Sequence, residues 1–211
     1  MIAIVFHVIG FVGLLINKER MAPATSLNLL LMLSLVLFTH EKLNVAFWIF
    51  FISCFTIGIA AEYIGTSTGF LFGDYSYGKN LGIAVKDVPL IIGVNWFLVI
   101  YCCAVTMHFI IQKLTIASGG DVSQKVKLMS VVIDGAMLAV FFDWLIEPVA
   151  INLGYWKWDG DIPALNYITW FLVSILLLLI FRILKLPAIN KFGVNLLLIQ
   201  MMFFLLLRTF L

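Results

Sequence analysis

The stretch VVIDGAMLAVFFDWLIEPVAINLGYWKWDG, residues 131–160, decides the fold. It is a long apolar run that carries two carboxylates, Asp143 and Glu147. At a helical spacing of i and i+4 they project from one face, about 40° apart. Pro148 follows Glu147 directly, so a kink is expected where the acids lie. Asp134 precedes Asp143 by nine residues, falls on roughly the opposite face and suits an interhelical hydrogen bond. An ionisable group at membrane depth is costly unless paired or hydrated, which makes the acids functional candidates.

The rest of the chain fits that depth. Of its 211 residues, 64% are hydrophobic and 11% charged, and the mean hydropathy is +1.14. Soluble domains average about 45–50% apolar and about 25% charged residues. The expectation is therefore an all-α, polytopic membrane helix bundle forming a single domain over residues 1–211. Seven spans are predicted, at about 1–16, 24–40, 44–64, 88–112, 126–152, 164–184 and 189–210. The amino-terminal run lacks a basic leader and a small-residue cleavage site, and reads as a first span. A net charge of +2 implies neither nucleic acid nor a polybasic lipid-binding arm. Membrane lipid is the expected surrounding, and the sequence does not fix the oligomeric state. The basic clusters at 113–127 and 182–191 suggest an amino terminus on the cytoplasmic side, and the expected location is a bacterial inner membrane.

Two connections stand apart, TSTGFLFGDYSYGKNLGIAVKDVP (66–89) and NLGYWKWDGDIPALN (152–166). They follow spans three and five and so emerge on one face. Tyr75, Tyr77, Trp156 and Trp158 suit either an interfacial aromatic belt or the walls of a shared cavity. Acids close to both loops favour the cavity, since Glu62 ends span three while Asp143 and Glu147 end span five. Asn95 and Trp96 open span four, and Asn166 and Trp170 share one face of span six. The two halves of the chain show no convincing repeat.

A carboxylic acid beside a second carboxylate, among aromatic rings, suits chemistry through a carbocation. The acid protonates a carbon–carbon double bond, ring faces stabilise the cation, and the partner orients the quenching nucleophile. The structural alternative is that the acids hold helices together or pair with Lys157 or Arg182. Other chemistries find little support. Cys54, Cys102 and Cys103 lie in apolar segments without metal or disulfide spacing, and His7, His40 and His108 are scattered over three spans. The Gly-rich loop lacks the Lys-Ser/Thr of a phosphate loop. The last span has no lysine in its middle for a retinal Schiff base, and no nucleophile has an evident histidine partner. No metal or redox cofactor is expected.

Two ordered blocks carry a resemblance. The first is Gly69-x-x-x-Gly73-Asp74-Tyr75-x-Tyr77-Gly78, then Leu81-Gly82, Val88-Pro89 and Trp96. The second is Asp143-x-x-x-Glu147-Pro148-Val149-Ala150, then Gly154-Tyr155-Trp156-x-Trp158, Ile162-Pro163 and Asn166-x-x-x-Trp170. Together, over about residues 60–172, they resemble the integral-membrane carotenoid biosynthesis proteins, which include carotenoid 1,2-hydratases. The resemblance implies cofactor-independent addition of water to the terminal C1–C2 double bond of a linear, ψ-ended carotenoid, giving a tertiary alcohol. It implies Asp143, Glu147, Glu62 and Asp74 as the candidate acids and bases. Tyr75, Tyr77, Asn95, Trp96, Trp156, Trp158, Asn166 and Trp170 would line the substrate site. A carotenoid cyclase shares the protonation step and is the nearest alternative; a non-enzymatic lipid binder or transporter is the alternative from another class.

Overall fold

Apolar stretches of this length satisfy their backbone groups in a membrane only by coiling into helices, and this is what they do. The computed structural model describes residues 1–120, 123–187 and 189–211. In chain order the helices are α1 (Ile2–Ile16), a short α2 (Lys18–Met21), α3 (Thr25–Thr39), α4 (Val45–Thr68), α5 (Ile91–Ser118), α6 (Gln124–Met129), α7 (Gly135–Asn152), α8 (Ala164–Ile183) and α9 (Lys191–Phe210). A wider π turn, Ser130–Asp134, joins α6 to α7. Among the described residues six helical segments are long and apolar enough to cross a membrane, and α1 is a shorter apolar helix beside them. At about 1.5 Å per residue, α1 falls short of a hydrocarbon core of about 30 Å. The architecture is the expected all-α polytopic bundle, and the chain is an integral membrane protein.

α5 is the axle. Its apolar segment is 72% buried, against 22–44% for the other candidate spans, and it packs on α3, α4, α7, α8 and α9. Phe47, Phe50, Phe97, Tyr101 and Phe181 interlock edge-on and offset along its length. Asn44 and Asn190 start α4 and α9 by accepting amide hydrogen bonds from their first turns. Asp134 does not bridge helices: it is exposed and bonded to Ser130, one turn earlier in its own helix.

Among the described residues four short strands lie between the helices, none of which the hydropathy pattern predicts: β1 (Tyr75–Tyr77), β2 (Ala84–Val85), β3 (Val88–Pro89) and β4 (Trp156–Trp158). β2 and β3 form a small hairpin. β1 pairs antiparallel with β4, Tyr75 opposite Trp158 and Tyr77 opposite Trp156, so the two unusual loops form one roof. Gly78 must be glycine there: its amide donates to the Tyr155 carbonyl, and a Cβ would lie 2.1 Å from the Gly154 carbonyl oxygen.

Pro148 sits inside α7. It has no amide to offer the carbonyl four residues back, that of Trp144. Arg208, near the end of α9, donates to that oxygen at 3.2 Å and lies 3.9 Å from the centre of the Trp144 ring. Replacing Arg208 by Gln should lower the thermal midpoint in detergent by about 2–4 °C, corresponding to about 1 kcal/mol.

Candidate functional site

Beneath the β1–β4 roof, three buried carboxyl groups approach one another: Glu62 from α4, and Asp143 and Glu147 from one face of α7. Each glutamate is held in the same way. One oxygen of Glu62 accepts from the hydroxyls of Tyr75 and Tyr77, the latter at 2.7 Å. The other accepts from the Trp96 indole on α5 at 2.9 Å. One oxygen of Glu147 accepts from the Trp156 and Trp158 indoles, both at 2.9 Å. Its other oxygen accepts from the Asn166 amide on α8 at 3.3 Å.

The pattern is a repeat that residue identities conceal. In each half a helix carries a glutamate in its last two turns, the following strand supplies two aromatic donors to one oxygen, and the next helix supplies a donor to the other. Around the acids the halves meet through the antiparallel strands and through Trp96 stacked on Trp170 at 3.9 Å between ring centres. Strand alternation directs the aromatic residues inward and leaves Ser76 and Lys157 exposed. Burial and the Glu62 carboxylate beside them push the Tyr75 and Tyr77 phenols well above their ordinary range. Both are neutral donors at physiological pH.

Asp143 departs from this pattern. Among the described residues it accepts one hydrogen bond, from Asn166 at 2.8 Å. The same amide nitrogen therefore reaches both Asp143 and Glu147. The partners of these acids are indoles, phenols and an amide, not Lys157 or Arg182.

The carboxyl groups border a cavity of about 30 Å³, room for one or two water molecules. Eleven of the twelve residues proposed from sequence line it: Glu62, Tyr75, Tyr77, Asn95, Trp96, Asp143, Glu147, Trp156, Trp158, Asn166 and Trp170. Asp74 does not. It is exposed, its backbone carbonyl accepts from the Asp159 amide, and its side chain packs on Gly69 at the end of α4. Sequence inspection missed Phe72 and Ile92 in the lining. Phe72 is fully buried against Trp96 and Tyr75 at a positive φ of 69°. The one available signal was its place between the turn-forming Gly69 and Gly73.

A second cavity adjoins the first. It measures about 440 Å³, runs between α1, α3, α7 and α9, and is walled mainly by apolar side chains. Ile92, Asn95 and Trp156 belong to both linings, so they form the wall or doorway between the two. The Asn95 amide makes no hydrogen bond to another described residue and faces both spaces. The arrangement suits a long apolar molecule whose end is presented to acids and a little water.

A family model described as carotenoid biosynthesis protein matches residues 23–211. The chain belongs to this family. A curated protein named bisanhydrobacterioruberin hydratase, from Haloarcula japonica, is 24% identical over 198 residues, covering 85% of this chain and 63% of that protein. The chain thus spans less than two thirds of its relative's length. No solved structure matches. In this chain the paired acids lie where the loops at 66–89 and 152–166 meet.

Gly58 on α4 controls how close the Trp96 ring can lie, because a Cβ there would come within 2.5 Å of it. Gly58→Ala should cost about 1–3 kcal/mol of stability in thermal unfolding. It should also weaken the near-ultraviolet circular dichroism of the stacked Trp96–Trp170 pair.

Proposed function

We propose that this protein is a carotenoid hydratase, adding water across the terminal C1–C2 double bond of a linear ψ end group. The observation that carries this reading is a water-sized chamber of carboxyl groups adjoining an apolar cavity. A polyene lies in the larger space with its end group at Ile92, Asn95 and Trp156, and the carboxyl groups stand beyond. The relative named as a hydratase and the family match support the same class of reaction.

Hydrogen-bond accounting distributes the roles. Glu62 and Glu147 each accept from three donors, so both serve as acceptors. Asp143 accepts from one donor and has an oxygen left to carry a proton. In the proposed cycle Asp143 transfers that proton to C2, and the double-bond electrons form the new C–H bond. The tertiary cation left at C1 is stabilised by the faces of the stacked Trp96 and Trp170 and by the nearby carboxylates. A water molecule held near Glu147, with the free Asn95 amide at its other side, adds through oxygen to C1 and gives its proton to Glu147. Return of that proton to Asp143, past the shared Asn166 amide, restores the starting state. The net change is the addition of one water, with no change in redox state.

The small chamber favours hydration over cyclisation, because water held beside the cation captures it before the chain can fold back on itself. Expression in cells that accumulate linear ψ-ended carotenoids, with pigments analysed by liquid chromatography and mass spectrometry, tests the reading. A product heavier by one water is expected. An equal-mass product with shifted absorption would replace hydratase by cyclase, and no new pigment from correctly folded protein would remove both. Asp143→Asn and Glu147→Gln should each lower turnover at least about 100-fold while leaving the protein folded.

A further inference from the structure

The end of the bundle away from the acids has the opposite character. There a cavity of about 600 Å³ is lined by Lys113, Lys127, Arg182 and Lys191, with His108 and Gln112 beside them. It lies far from the carboxyl chamber: His108 is thirteen residues beyond Asn95 on α5, a rise of about 20 Å. None of its described lining residues is acidic. Among the described residues Lys113, Arg182 and Lys191 have no acidic partner, and three cationic side chains around one space repel each other unless an anion joins them.

Two nitrogen atoms on this wall are buried without a hydrogen-bond partner, Nε of Arg182 and Nδ1 of His108. An unmet guanidinium N–H is a donor without an acceptor, and phosphate oxygens fit guanidinium and ammonium donors well. The rim is fixed rather than loose. Asn190 caps α9 and donates to the Tyr101 hydroxyl at 2.9 Å, which is also bonded to His40 at the end of α3.

We infer that this cavity is a binding site for a phosphate-bearing anion. Its size and its mixed lining point to the headgroup of an anionic phospholipid. A free phosphate fills a small fraction of 600 Å³, whereas Val105, Ile111, Ile116 and Val194 offer an apolar wall for the glycerol and first methylene groups. Basic pockets between membrane helices recognise lipid headgroups in this way. The orientation favoured by the basic residues turns this end towards the cytoplasmic leaflet, where anionic lipids meet it. The site is independent of the proposed reaction.

The test uses the full-length protein, delipidated in a non-ionic detergent. Native mass spectrometry compares retention of phosphatidylglycerol with phosphatidylcholine of the same chains, while thermal unfolding follows additions of inorganic phosphate and diphosphate. Phosphatidylglycerol is expected to bind at least about tenfold more tightly. The double variant Lys113→Gln, Lys191→Gln should weaken it about 10- to 30-fold, and Lys113→Arg, Lys191→Arg should retain it. If phosphate or diphosphate stabilises the protein but the two lipids bind alike, the same anion chemistry serves a free ligand. Equal lipid binding with no response to either inorganic anion overturns the proposal, as does an unchanged preference in the Gln variant. Pigment conversion should be unaffected by these substitutions, since neither lysine borders the acid chamber.

Discussion

A carboxyl group withdrawn from water must find donors, and in this protein three of them are withdrawn together. That demand explains most of what lies between the helices. Tyr75, Tyr77, Trp156 and Trp158 occupy strand positions that point inward because Glu62 and Glu147 need donors. The strands pair because their loops must cover one space, and Gly58 and Gly78 keep the approaches short. Were the acids only helix-to-helix connectors, a dry and filled interface would serve. A water-sized gap bordering a long apolar cavity is what the proposed hydration requires.

The bundle is polarised along its axle. One end of α5 carries Asn95 and Trp96 into the acid chamber, and its other end carries His108 and Lys113 into a basic cavity. This separation gives each end its own proposed partner, an apolar chain at one and an anion at the other, without either charge set neutralising the other.

Much of this was legible in the residues. Spans of the right length and hydropathy foretell the helices, because a membrane leaves the backbone no alternative. Counting spans placed the loops at 66–89 and 152–166 on one face, and the structure joins them. What stayed hidden had physical causes. Three-residue strands pairing across about eighty residues leave no periodic trace. The duplicated half-site escaped notice because one half uses Tyr-Ser-Tyr and the other Trp-Lys-Trp, alike in donor geometry and unlike in letters. Asp74 shares a Gly-rich aromatic loop with site residues yet faces outward, since strand alternation turns it away from its neighbour Tyr75. The apolar cavity was invisible because leucines facing lipid and leucines facing a ligand are the same in composition. Arg208 reads as an interfacial anchor, and only its neighbours reveal that it covers the carbonyl exposed by Pro148.

The order of residues within each half-site has a bearing on biogenesis. Every donor to Glu62 follows it in the chain, at Tyr75, Tyr77 and Trp96, and every donor to Glu147 follows it, at Trp156, Trp158 and Asn166. As the ribosome extends the polypeptide, each acid enters the bilayer before its partners and is then satisfied by the next stretch to emerge. The first half can close on itself while the second is still being made, and it offers the later strand a finished edge on which to dock.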